Sequence, residues 1–182
     1  MEKKNTLTTR KIVFTALMAA LTVAGSALRV TLPLDIAGTT SFHLGNIMCA
    51  LSGILLGPWL GGLASGLGSA LYDLTNPAFA AECWITFITK GGMGMVAGFA
   101  MKDRVTPKYG RCTVAAALGC LAYYILYFFK SFAYDGLLLG GLTASVAGAA
   151  LVLKIPASLF NGAVAIIIAP PLCLALRKAL QK

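Results

Sequence analysis

The chain has 182 residues, of which 58% are hydrophobic and only 12% charged, and it carries a formal net charge of +9. A soluble domain of that size carries about a quarter charged residues, so the composition excludes a water-soluble fold. The charge does not signal nucleic acid either: eleven of the fifteen Lys and Arg fall in three clusters, Lys3/Lys4/Arg10/Lys11, Lys102/Arg104/Lys108/Arg111 and Arg177/Lys178/Lys182, with no aromatic-interleaved basic surface.

Backbone exposed to lipid has to satisfy its own hydrogen bonds, which leaves helices as the economical way to use the apolar runs. The expected fold is an all-α membrane protein, one transmembrane domain over residues 1–182 with no soluble domain attached. Six spans of roughly bilayer length are expected, at about 11–31, 43–57, 58–76, 83–101, 112–134 and 151–176. The first begins like a secretory signal, basic then apolar, but Ile12–Val30 is long for one and further spans follow, so it reads as a retained helix. It carries Ala16, Ala20 and Ala24 at four-residue spacing, a flat ridge that another helix can approach closely, from within the bundle or from a partner. Pro58 in "GPW" breaks the chain between the second and third spans. An even number of spans puts both termini and the "KDRVTPKYGR" loop on the cytoplasmic side with all three basic clusters. The connections "TLPLDIAGTTS", "TNPAFAAE" and the stretch from "YDGLLLGG" lie outside. Residues 136–150 read as a connecting segment with some helix, packed at the outer surface, because a seventh span would carry Arg177–Lys182 outward.

Four cations stand apart from the clusters: Arg29 at the end of the first span, Lys90 within "ITFITKGGMG", Lys130 near the outer end of the fifth and Lys154 at the start of the sixth. Lys or Arg at a span centre costs about 2.5–3.5 kcal/mol, less toward the edge. Snorkelling relieves Arg29, Lys130 and Lys154, whereas Lys90 lies about 10 Å below the outer end of its helix. Its candidate roles are an ion pair with Asp73 or contact with a ligand. Ser158 and Asn161 share a helix face with Lys154, and Tyr123, Tyr127 and Tyr134 share one with Lys130. Together with Trp84, these residues compose a pocket with aromatic walls and convergent donors, the usual makeup of a small-molecule site. An interfacial aromatic belt accounts equally well for Tyr134 and Trp84. The excess of outer cations over nearby acids points to an anionic ligand.

No catalytic constellation and no nucleotide-binding loop occurs. The five cysteines form no C-x-x-C pair and His43 is the only histidine, so no metal or cofactor is expected. Cys49, Cys112, Cys120 and Cys173 read as packing residues and Cys83 as a free thiol. An intramembrane enzyme acting on a lipid or prenyl substrate is the competing class, with only Asp73 near the required depth. A small homo-oligomeric channel finds less support, since the embedded charges form no pore-lining stripe.

The runs "FHLGNIMCALSGILLGPWLGGLASGLGSALYDLTNPAF", "WITFITKGGMGMVAGF" and "LKIPASLFNGAVAIIIAPPLCLAL", with the helix-1 alanine ridge, resemble the substrate-binding S components of energy-coupling factor (ECF) vitamin transporters. The likeness is to the branch of pantothenate-, pyrimidine-precursor- and riboflavin-type binders. It implies a six-helix bundle in a bacterial plasma membrane that takes up a small vitamin or precursor. A separate module of two ABC-type ATPases and a transmembrane coupling protein would drive import. In the family an A-x-x-x-A ridge docks on the coupling protein, which maps to Ala16, Ala20 and Ala24. Family sites draw on the outer parts of helices 4 to 6, where Lys90, Lys130, Lys154 and Asn161 fall.

Overall fold

The computed structural model describes residues 8–34, 38–101 and 108–180. The expectations that rest on Lys3, Lys4, Asp35, Lys102, Arg104 and Lys182 lie outside the described residues. Among the described residues there are six α-helices: α1 (Thr9–Ala27), α2 (Gly45–Leu56), α3 (Pro58–Leu74), α4 (Cys83–Ala100), α5 (Tyr109–Phe129) and α6 (Ala144–Leu180). The stretches Thr9–Ala27, Tyr109–Leu139 and Ala144–Lys178 are long and apolar enough to cross a membrane.

Local chemistry sets several boundaries. Gly57 takes φ 87°, a left-handed conformation that suits glycine, and stops α2; Pro58 then starts α3, where its missing N–H costs nothing. At the other end of α3, Thr75 Oγ1 donates to the Tyr72 carbonyl at 2.6 Å, and Asn76 Oδ1 accepts from the Ala78 N–H at 3.1 Å to turn the chain.

The core is built from small residues. A Cβ on Gly53 would collide with the Gly94 carbonyl, and one on Gly61 would lie 2.6 Å from Gly53 Cα, so α2, α3 and α4 meet backbone to backbone. Leu51, Ile54 and Met93 fill the space beside them. The outer surface is apolar instead: Leu17, Trp59, Leu118, Ile125, Phe129 and Ile167 are all exposed. Large apolar side chains facing outward along whole helices mark a lipid-facing surface. On α1 the ridge residues Ala16, Ala20 and Ala24 lie on this outer surface, while Thr15, Met18, Ala19 and Thr22 pack inward.

Three expectations need correction. First, a short two-stranded hairpin is added to the six helices. The chain leaves α1 at Ala27, and Arg29 opens a strand rather than ending the helix. Strands β1 (Arg29–Leu34) and β2 (Gly38–His43) pair antiparallel, with Arg29 opposite His43 and Thr31 opposite Ser41. Their Val- and Thr-bearing sequences favour the pleated conformation, and Phe42 packs edge-on against Phe160 of α6 at 5.2 Å. Second, α5 does not simply end near residue 134: it continues as a π-helix over Lys130–Leu139. Third, α6 starts at Ala144 rather than 151, because its alanine-rich opening is a strong helix former and Gly141, at φ 58°, ends the break. Lys154 therefore lies roughly three turns inside α6 instead of beginning it.

Candidate functional site

A cavity of about 560 Å³ opens at the end of the bundle where the hairpin, the α3–α4 connection, the π-helix and the first half of α6 converge. That volume lies within the range of small-molecule sites, roughly 300–1,000 Å³. The opposite end gathers Arg10, Lys11, Lys108, Arg111, Arg177 and Lys178.

Lys90 forms the floor. It is 6% exposed, its ammonium donates to Asn46 Oδ1, and it sits 3.8 Å from the centroid of the Tyr123 ring. The alternative pairing with Asp73 is not made among the described residues. Asp73 instead lies 3.8 Å from Arg29, whose guanidinium is held between the rings of Tyr72 and Phe79 at 4.7 and 4.8 Å. The cavity is lined by four cations, Arg29, Lys90, Lys130 and Lys154, and three carboxylates, Asp73, Glu82 and Asp135. The first, third and fourth of those cations have ion-pair partners; among the described residues Lys90 has none. A buried ammonium carries a large desolvation cost, only partly offset by one amide oxygen and one ring face.

Tyr123 and Tyr127 stack at 5.4 Å and line one wall. The mouth is charged: Lys130 bridges Glu82 and Asp135, and Lys154 reaches Asp135 and Ser131. The π-helix makes this possible. Residues five apart fall about 140° apart around an α-helix, whereas the wider π turn returns Lys130 and Asp135 to one side.

Arg29, Lys90, Tyr127, Lys130, Lys154, Ser158 and Asn161 all line the cavity. Two of them are already engaged in ways their spacing does not reveal. Asn161 Oδ1 accepts the His43 N–H at 2.9 Å and its Nδ2 donates to the Ser41 carbonyl at 2.8 Å, so the carboxamide holds β2 across the cavity and keeps one acceptor lone pair and one N–H beyond these two bonds. Ser158 Oγ donates to the Lys154 carbonyl at 2.9 Å within α6. Trp84 does not line the cavity: it is 55% exposed on the outer surface, edge-on to Tyr134 at 6.2 Å. That position matches the interfacial-belt reading.

Sequence reasoning missed Asn46 and His43. Asn46 is fully buried in an apolar helix, the same signal that marks Asn161. His43 Nδ1 accepts the Gly45 N–H at 3.1 Å, which makes the imidazole neutral; burial, reinforced by the charges of Lys90 and Arg29, holds its pKa well below the usual histidine value.

Apolar helices enclosing a polar, cation-floored cavity at one end define a membrane-embedded small-molecule binding protein. The chain belongs to the family of the ECF-type riboflavin transporter, S component, whose family model matches residues 6–178. It is thus a multi-pass membrane protein of a transporter S-component family rather than of an enzyme family. It is also similar to a Pyrococcus woesei protein described as "Uncharacterized protein in gap 3'region", 36% identical over 101 residues, or 55% of this chain. The matched part spans 63% of that relative, less than two thirds of its length.

Proposed function

We propose that this protein is the substrate-binding subunit for riboflavin uptake, a single transmembrane domain that captures the vitamin with high affinity from the outside. The observation that carries this reading is the cavity whose floor holds Lys90 without a carboxylate partner. An ammonium kept buried and unpaired is a cost to the empty protein that a ligand acceptor removes. Riboflavin has no full negative charge at neutral pH. The anionic expectation therefore softens to a charge-assisted hydrogen bond from Lys90 to the acceptor-rich dione edge of the ring system, with Tyr123 and Tyr127 beside the ring. The basic residues at the opposite end of the bundle support an outward-facing cavity and cytoplasmic ends for α1 and α6. Import would be driven by a separate coupling protein and two ABC-type ATPases.

Titrating detergent-purified protein with riboflavin, followed by flavin fluorescence, tests the assignment. Saturable one-to-one quenching with a Kd of roughly 1 μM or tighter is expected. No quenching, with thermal stabilisation by pantothenate or a pyrimidine precursor instead, would move the protein to another branch.

A further inference from the structure

The charges at the cavity mouth form a closed set. Lys130 Nζ contacts Glu82, immediately before α4, and lies 2.7 Å from Asp135 Oδ1; Asp135 Oδ2 lies 3.4 Å from Lys154 Nζ. Ser131 Oγ accepts from Lys154 at 2.9 Å and donates to Asp135 at 3.3 Å. Two ammonium groups face two carboxylates, and these four side chains are only 8–29% exposed. The floor differs, because among the described residues Lys90 has no carboxylate partner. Glu82 and Lys90 are separated by about 12 Å of helix rise along α4. A ligand that places its acceptor edge on Lys90 therefore extends its other end into the mouth.

We propose that Glu82 and Asp135 are specificity determinants that make the mouth reject a dianionic group, so that the protein takes its vitamin unphosphorylated and excludes the phosphate ester. This rests on the riboflavin reading above. Without the two acids, Lys130 and Lys154 would form an ordinary phosphate site. With them in place, an entering phosphate has to take a lysine from its carboxylate. That step leaves a shielded carboxylate unpaired beside a second anion. The exclusion is repulsive as well as competitive, the pattern expected where one ligand is selected against a close analogue. A neutral hydroxylated chain displaces nothing: it adds hydrogen bonds to Ser131 and to carboxylate oxygens that retain free lone pairs.

The test is a set of flavin fluorescence titrations on wild type, Glu82→Gln and Glu82→Gln/Asp135→Asn, each with riboflavin and with riboflavin 5′-phosphate. Wild type is expected to favour riboflavin by about tenfold or more. In the double variant that ratio should fall by about tenfold, and the phosphate ester should gain absolute affinity. Misfolding cannot produce such a gain. Should the double variant bind neither flavin, Glu82→Gln decides: a gain for the ester supports the proposal and no gain overturns it. Wild type binding both flavins equally, or variants with an unchanged ratio, overturns the role of the carboxylates while leaving riboflavin binding intact. Wild type binding neither flavin overturns the riboflavin reading and this one with it.

Discussion

Lys90→Met is expected to lower riboflavin affinity by roughly 30- to 150-fold, the equivalent of about 2–3 kcal/mol for a hydrogen bond from a charged donor. Methionine keeps the length and apolar stem of the side chain, so the change removes mainly the charge and its donors. Three observations set the size of the effect. The ammonium is buried, it has one amide acceptor in Asn46, and the nearest charge-compensating feature is the face of Tyr123. A ligand acceptor arriving there completes its coordination, and the interaction is strengthened by exclusion of water. A purely structural lysine predicts something else: thermal stability of the ligand-free protein would fall while affinity stayed within about twofold of wild type. Fluorescence titration together with a melting curve in detergent separates the two outcomes.

Ala20→Leu is expected to abolish co-purification with the proposed coupling protein and to leave riboflavin binding in place. The ridge of Ala16, Ala20 and Ala24 is exposed on α1, facing away from the side that packs Met18, Ala19 and Thr22 into the bundle. Helix pairs in membranes associate through close backbone approach, since lipid is as apolar as leucine and supplies no hydrophobic drive between them. A leucine in the middle of the ridge holds the partner helix away by the bulk of its side chain. Because Ala20 does not line the cavity, ligand affinity serves as the control for folding. Unchanged co-purification would show that the ridge faces only lipid.

Much of the helical layout is written in simple features of the chain. Pro58 and the polar "TNPAFAAE" stretch bracket α3, and Cys83–Ala100 is an apolar run interrupted by one lysine whose depth alone marks it as unusual. The hairpin is harder to read. Residues 29–34 and 38–43 are short and flanked by long apolar runs, so hydropathy absorbs one strand into the preceding helix and the rest into a loop. The opening of α6 eludes the positive-inside argument for a different reason: that argument counts crossings, and a longer helix changes no count. At the site, the residue types are legible but their partners are not. Lys130 meets Glu82 across 48 positions, and Asn161 reaches Ser41 across 120, so only the tertiary fold reveals that one is neutralised and the other clamps a strand.

The most direct measurement is the accessibility of a single cysteine in the cavity of intact cells. Leu142 lines the mouth and is half-buried; Cys83 is half-buried, while Cys49, Cys112, Cys120 and Cys173 are buried. A Leu142→Cys/Cys83→Ser protein is treated from outside with a membrane-impermeant maleimide, with and without riboflavin. Labelling from outside that riboflavin suppresses is the predicted result. Labelling that requires broken cells, or that proceeds at the same rate with saturating riboflavin, would contradict an outward-facing cavity that holds the vitamin.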